Sequence, residues 1–377
     1  MSLLFALSIA ASTGCATVDT DPVAHADDET ASEPAQQVTE SARDPGGQLV
    51  PYTPQTPAAQ VTTLPGAQLD WEAGDYPPNL KAPEYLTIEG LPNQGDRKRQ
   101  YKVHVPKGYD KNTPAPVLFA FHGLMQSPLL FPINGSNFVQ KSDQEGFILV
   151  MAAGVQEEAF GLGGSWNAGT CCGATANQRV DDVGFVRAIF ARLHEHLNVD
   201  DARVYATGMS NGGYLSFRLG CEAADIFAAI APVAGAVGTK EVNAFGTNPN
   251  PDFAKCAPSQ PVAVLAVHGE ADPIVPYAVH KPSLEQFARA NGCQTATRPA
   301  TQPASAGESA CVTYDGCKDG FEVTGCSVKS GGHCWFGDPS CGTGAAGIGN
   351  LFVGNNSKDI DTSDAVWKFV SRFRRQR

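Results

Sequence analysis

The stretch Arg203-Val-Tyr-Ala-Thr-Gly208-Met-Ser210-Asn-Gly212-Gly213-Tyr-Leu-Ser-Phe-Arg-Leu219 constrains this chain more than any other. A β-branched and aromatic run passes through G-x-S-x-G into an amphipathic stretch, which is the pattern of a serine on a sharp strand-to-helix turn. The glycines leave room where a side chain would collide with the neighbouring strand and helix, and the serine is pushed up at the helix N-terminus. In a chain with 39 glycines the bare pattern also spells a glycine-rich turn with a solvated serine. The strand before it and the helix after it give Ser210 its meaning as a candidate nucleophile. Its hydroxyl is a poor nucleophile unaided, so a base must lie within hydrogen-bond reach.

Apolar runs nearly continuous enough to be buried on both faces fall at Gln100 to Val105, Val117 to Phe121, Phe147 to Ala152, Arg203 to Thr207, Phe227 to Pro232, Val262 to His268 and Glu322 to Val328. They alternate with amphipathic stretches, which predicts an α/β fold with a mostly parallel central sheet and helices on both faces. Helices are predicted from Asp181-Asp182 toward Leu197, with Val183, Val186, Ile189, Phe190 and Leu193 inward, then after Ser210, from His280 to Ala290, and from Thr362 to Phe373. No internal repeat is visible. One domain over residues 82–377 is the economical reading.

A serine so placed in an α/β-hydrolase needs an acid and then a histidine, in that chain order. Asp272 follows the buried strand Val262 to Gly269 as part of Glu270-Ala-Asp272-Pro, where it can orient an imidazole; Glu270 and Asp252 compete with it. Only His280 and His333 come after Asp272. His280 falls in a predicted helix, whereas His333 ends the Gly-rich turn Lys329-Ser-Gly-Gly-His333 after the last strand. The other histidines read as tail, surface or packing residues. Two backbone N–H groups must face the developing oxyanion. Asn211 supplies one, and the buried run ending in His122-Gly123 supplies the other from Leu124, with Met125 the fallback. Trp166, Trp335 and Tyr277 sit in or beside loops at the expected C-terminal edge of the sheet, so each is a candidate substrate contact as well as a candidate core residue.

The net charge of −12 is concentrated near the N-terminus. Between Ala16 and Leu80 there are eleven acids and one base, Arg43, which leaves about −2 from Lys81 onward and no basic patch for nucleic acid. This segment, rich in Ala, Thr, Pro and Gln, has no period that would bury a face, and residues 16–81 read as a disordered acidic tether. Met1 to Gly14 is an apolar run ending in small residues before Cys15, which resembles a bacterial lipoprotein signal with Cys15 lipidated, although Ser12 and the lack of an early base depart from it. The other ten cysteines, Cys171 to Cys341, form an even set suited to disulfides in an oxidising compartment. A zinc cluster of Cys326, His333, Cys334 and Cys341 would consume the base and lacks paired C-x-x-C spacing.

At this point the residues resemble the exported α/β-hydrolase esterases that include polyhydroxybutyrate depolymerases and feruloyl or acetylxylan esterases. The resemblance rests on FHG near 122, SWNAGTCCG at 165–173, VDDVGF at 180–185, GMSNGGY at 208–214, FAAIAPVAG at 227–235, HGEADPIVPY at 268–277, GGHCW at 331–335 and the closing DIDTSDAVWKF. It implies the triad Ser210, Asp272 and His333, and, in part, disulfides Cys221 to Cys256 and Cys293 to Cys317. His333-Cys334-Trp335-Phe336 departs from the family's His-Thr-Trp-Pro, and the cysteines at 311, 326, 334 and 341 are unusual, so substrate shape is open. The expectation is a secreted or surface-anchored serine esterase acting on polyhydroxybutyrate-type oligoesters or on feruloyl or acetyl esters of plant polysaccharide. It would need no metal or organic cofactor and would act as a monomer that meets a membrane only through its lipid anchor. A non-catalytic polymer- or polysaccharide-binding protein on the same fold, or an acyltransferase or peptidase with the same triad, are the alternatives.

Overall fold

The structure, a computed structural model, describes residues 86–376 apart from 92–93, 95–96, 127–135, 157–162, 170, 238–255, 302, 304–305, 340 and 342–352. The N-terminal signal and tether, Cys15 and Asp252 lie outside the described residues. In chain order the elements are β1 (Leu86–Ile88), β2 (Arg99–His104), β3 (Ala115–Phe121), α1 (Phe138–Glu145), β4 (Ile148–Ala152), β5 (Val155–Gln156), β6 (Gly164–Ser165), α2 (Gly173–Asn177), α3 (Asp182–His194) and β7 (Val199–Met209). There follow α4 (Asn211–Glu222), β8 (Ala229–Val233), β9 (Ala263–Gly269), α5 (His280–Ala290), β10 (Thr297–Pro299), β11 (Ala310–Tyr314), β12 (Val323–Val328) and α6 (Thr362–Val370).

Ten strands form one sheet in the order β1-β2-β4-β3-β7-β8-β9-β12-β11-β10. The six from β4 to β12 pair in parallel, while β1, β2, β11 and β10 pair antiparallel at the edges. This is the α/β-hydrolase order. The sequence predicts the seven inner runs to within a few residues. It misses the edge strands β1, β10 and β11, which are short and partly exposed and so carry little apolar signal.

Period two along β3 shows why the inner strands read as continuously apolar. Val117, Phe119 and Phe121 enter one core with Val186 and Ile189 of α3, Leu215 of α4 and Phe287 of α5. Leu118 and Ala120 enter a second core with Phe138 of α1 and Val366 and Phe369 of α6. The sheet is therefore buried on both sides, as a parallel sheet requires. Asp181 caps α3 by accepting from the Gly184 N–H at 2.7 Å, and Asp361 caps α6 by accepting from Asp364 N–H at 2.9 Å.

All ten cysteines from 171 onward are paired. Cys221–Cys256 and Cys293–Cys317 tie α4 and the end of α5 to following loops, Cys311–Cys326 crosses the register of β11 and β12, Cys334–Cys341 closes a short loop, and the neighbours Cys171 and Cys172 are joined. A bridge of this kind typically contributes about 2 to 4 kcal/mol by restricting the unfolded chain.

One buried ion pair joins the start of β2 to α3. Arg99 Nη2 donates to Asp182 Oδ1 at 2.6 Å, Nη1 donates to Gln94 Oε1 at 2.8 Å, and the guanidinium lies 4.0 Å from the Phe185 ring centroid. Asp182 Oδ2 accepts from the Asn167 backbone N–H at 2.7 Å. Both charged groups are essentially out of water, at 2% and 0% exposure. Losing one partner strands the other as a buried charge. Arg99→Met should therefore lower the unfolding free energy by about 3 to 5 kcal/mol, and Arg99→Met with Asp182→Leu by distinctly less than the single change, both read from urea midpoints.

Candidate active site

β7 delivers Ser210 to the top of the sheet. Ser210 has φ 55° and ψ −122°, a strained backbone for a residue with a Cβ. It is held there by its own N–H, which donates to the Val233 carbonyl of β8 at 2.9 Å, and by the first turn of α4, where Tyr214 N–H donates to the Ser210 carbonyl at 2.9 Å. The turn closes only because 208 and 212 are glycines. A Cβ on Gly208 would lie 2.6 Å from Gly212 backbone atoms, and one on Gly212 would lie 2.6 Å from the His122 carbonyl oxygen and nearer still to that of Phe121. The end of β3 is thus pressed against the residues that follow Ser210.

The acid and the histidine leave the sheet two and three strands away. Val267 of β9 pairs with Val233 of β8 on one side and Cys326 of β12 on the other, so the carboxyl ends of β7, β8, β9 and β12 lie in one row. Asp272 Oδ1 accepts the Ile274 and Val275 N–H groups, each at 2.8 Å, and Oδ2 accepts from His333 Nδ1 at 2.8 Å. Burial opposes the Asp272 charge, but its contacts with His268 and His333 outweigh that and hold the carboxyl well below the usual carboxylate range. The buried Tyr214 phenol of α4 is pushed up by burial and then by the Asp272 charge, so that charge reaches the helix that follows Ser210. The His333 turn is anchored by Gly332 N–H to the Asn355 carbonyl at 2.8 Å and by His333 N–H to that of Val353. The Asp272–His333 bond is formed; among the described residues none joins Ser210 to His333. His280 is buried in α5 and Glu270 pairs with Lys329, so neither takes up these positions.

His122, one of the histidines read from sequence as tail, surface or packing residues, fixes the peptide at the end of β3. Its Nε2 accepts from Gly154 N–H at 2.9 Å, so the proton is on Nδ1, which donates to the Gly123 carbonyl at 2.8 Å. A trans peptide sends its N–H opposite to its C=O. Fixing the Gly123 carbonyl therefore fixes the direction of the Leu124 N–H. Met125 N–H is already donated to Gly164 O at 2.9 Å, which removes it as the fallback. Among the described residues the backbone N–H groups of Leu124 and Asn211 meet no backbone carbonyl, which leaves them as the candidate pair for an oxyanion.

Asn211 also works through its side chain. Its Oδ1 accepts from Trp166 N–H at 2.7 Å and its Nδ2 donates to the Trp166 carbonyl at 3.0 Å, with Cys171 Sγ at 3.5 Å. Trp166 is 0% exposed, with its indole N–H on the His122 carbonyl at 3.0 Å, and its ring meets Phe121 edge-on. Trp335 is 2% exposed and donates to Ser363 Oγ. Neither ring has surface for a substrate, so the expectation of substrate contact is corrected to core packing for both. Tyr277 is half-buried, with its hydroxyl on Ser327 Oγ. Sequence reasoning named Met125 only as a fallback N–H donor and did not single out Ile274; their side chains are exposed at 52% and 37% beside residues 122–124 and Asp272, and their place directly after His-Gly-Leu and Asp-Pro was the available signal.

Comparison with known proteins bears on this geometry. Residues 93–308, more than half of the chain, match the Esterase family model, described as "Putative esterase". The match spans Ser210 and Asp272 and ends before His333. Feruloyl esterase B of Piromyces equi is 30% identical over 250 residues, 62% of this chain and 42% of that protein. The chain thus spans less than half the length of this relative. Feruloyl esterase D of Neurospora crassa is 29% identical over 292 residues, 74% of this chain and 84% of that one. A solved acetyl xylan esterase from Aspergillus awamori superimposes with a TM-score of 0.48 at 15% identity, covering 67% of this chain and 94% of that one.

Burial lowers the His122 imidazole to about 4, against about 6.5 when unfolded. Between those values the unfolded chain binds a proton that the folded chain refuses. The stability contributed is complete above about pH 6.5 and is lost as pH falls toward 4, at up to about 1.4 kcal/mol per pH unit. Urea unfolding across that range should show this slope in the wild type and a shallower one in His122→Gln.

Proposed function

The chain belongs to the Esterase family, and from that premise we propose that it is an exported serine carboxylic-ester hydrolase of feruloyl or acetylxylan type, with Ser210, Asp272 and His333 as its triad. The observation that carries the reading is the 2.8 Å hydrogen bond from His333 Nδ1 to a charged Asp272, formed in the same row of strand ends as the Ser210 elbow. With Nδ1 engaged, Nε2 is the ring nitrogen left to take a proton. The contact between Nε2 and Ser210 Oγ is the one this proposal supplies.

In the reaction Ser210 Oγ attacks the ester carbonyl as its proton passes to His333. The negative oxygen of the tetrahedral adduct receives the Leu124 and Asn211 N–H groups, each worth about 10²- to 10³-fold in rate. His333 then protonates the leaving alcohol, and water, deprotonated by His333, releases the acid and restores the serine. Asp272 keeps its charge and stabilises the imidazolium. Met125 and Ile274 offer apolar surface for the acyl group. Relatives named as feruloyl esterases favour an aromatic acid over a hydroxyalkanoate. The five disulfides suit an oxidising compartment and so support export, with Cys15 as the proposed lipid anchor.

Methyl ferulate, acetylated xylan and hydroxybutyrate oligomers, offered side by side, should show turnover on at least the first or second. Ser210→Ala should lower it by about 10⁴-fold or more and abolish labelling by a fluorophosphonate probe. Labelling that persists in Ser210→Ala, or a wild type inert to both probe and esters, would sink the proposal.

A further inference from the structure

Asp272 has a second histidine partner that acyl transfer does not call for. His268, fully buried near the end of β9, places Nε2 3.0 Å from the Val275 carbonyl and 3.5 Å from Asp272 Oδ2. A carbonyl can only accept, so Nε2 carries the proton. The other ring nitrogen, Nδ1, is buried with no hydrogen-bond partner among the described residues. A buried ring nitrogen without a partner opposes folding, so the use of this side chain lies with its other nitrogen.

That use is visible in the closed path the contacts trace. Asp272 Oδ1 accepts from Val275 N–H, the Val275 carbonyl accepts from His268, and His268 also faces Asp272 Oδ2. The ring is held by its neighbours Tyr277 and His280, at 5.8 Å and 5.5 Å between centroids. The titratable groups around it are therefore Asp272 and Tyr277 from the following turn and His280 from α5, with His333 and Tyr214 reached through Asp272. Burial pushes the His280 imidazole well below its usual range, so His280 brings no competing positive charge.

We propose that His268 is a positioning residue, which ties the turn 272–275 to β9 so that Oδ2 faces His333, and which takes up part of the Oδ2 charge through its Nε2–H. This rests on the triad reading above. A carboxylate relieved of that donor presents more charge to His333 and stabilises its imidazolium more strongly. Removing the donor should therefore move the acid limb of the activity profile upward in pH and, by loosening the turn, lower kcat.

Replacing His268 by Gln, Asn and Leu separates this role from packing, since the Gln amide nitrogen comes close to the place of Nε2 and the Asn amide falls short. With methyl ferulate, His268→Asn and His268→Leu should lose about 10- to 100-fold in kcat with KM little changed. Their acid limb should rise by about half a pH unit or more, whereas His268→Gln should keep the wild-type limb and most of kcat. Unfolding temperatures are read for each variant. If Leu does not fold, the Gln and Asn pair decides; equal kcat and equal limbs in that pair, or failure of both to fold, overturns the proposal. Ser210→Ala run alongside keeps the two ideas apart. Turnover surviving in Ser210→Ala defeats the esterase reading itself, whereas a dead Ser210→Ala beside a wild-type-like His268→Asn defeats only the role of His268.

Discussion

Two charges sealed from water, Arg99 and Asp182, have to satisfy each other and every remaining lone pair and proton around them, and the organisation of the site starts from that demand. Desolvating such a pair costs several kcal/mol per ion, which the attraction offsets only in near-ideal geometry. Gln94, the Ala153 carbonyl and the Asn167 N–H complete that geometry. Satisfying Asp182 therefore fixes the Asn167 peptide. Trp166 precedes it, and its backbone grips the Asn211 amide from both sides. A chain of contacts thus runs from the sheet's edge-side strand β2 to the residue that follows Ser210.

The opposite wall is set by different means. There no charge is involved: the end of β3 lies against Gly212, and a histidine with one nitrogen accepting and one donating fixes a single peptide. Asp272 and His333 form a third unit, with Asp272 pinned by two backbone N–H groups and His333 carried on a turn clasped by residues 353–355. Each unit rests on a different strand end. The parallel sheet holds them in register because each strand is locked on both faces by its own core.

Much of this was legible in the sequence because the signals were local. Buried parallel strands announce themselves as unbroken apolar runs, and Gly-Met-Ser-Asn-Gly between a strand and a helix admits few backbones. Chain order then narrowed the acid and histidine. What stayed hidden was non-local or depended on orientation. Nothing in Trp166 itself distinguishes a ring facing substrate from one sealed against Phe121, and the contrast between 0% exposure and a binding floor exists only once the sheet is folded. His122 and His268 looked like packing residues because both are indeed buried. Their second function lies in which atom each ring nitrogen meets. Arg99, an ordinary cation opening a strand, gave no hint that its partner lay eighty-three residues away.

The fixed Gly123 carbonyl has a consequence for how the proposed chemical step would proceed. In water, a developing alkoxide must turn solvent dipoles toward itself while the bond is forming, and that rearrangement is part of the barrier. In the proposed reaction the Leu124 N–H already has its direction before any ester arrives, set by a ring that stays uncharged over the neutral range. The work of alignment is done when the chain folds, and the reaction inherits a field it does not have to create.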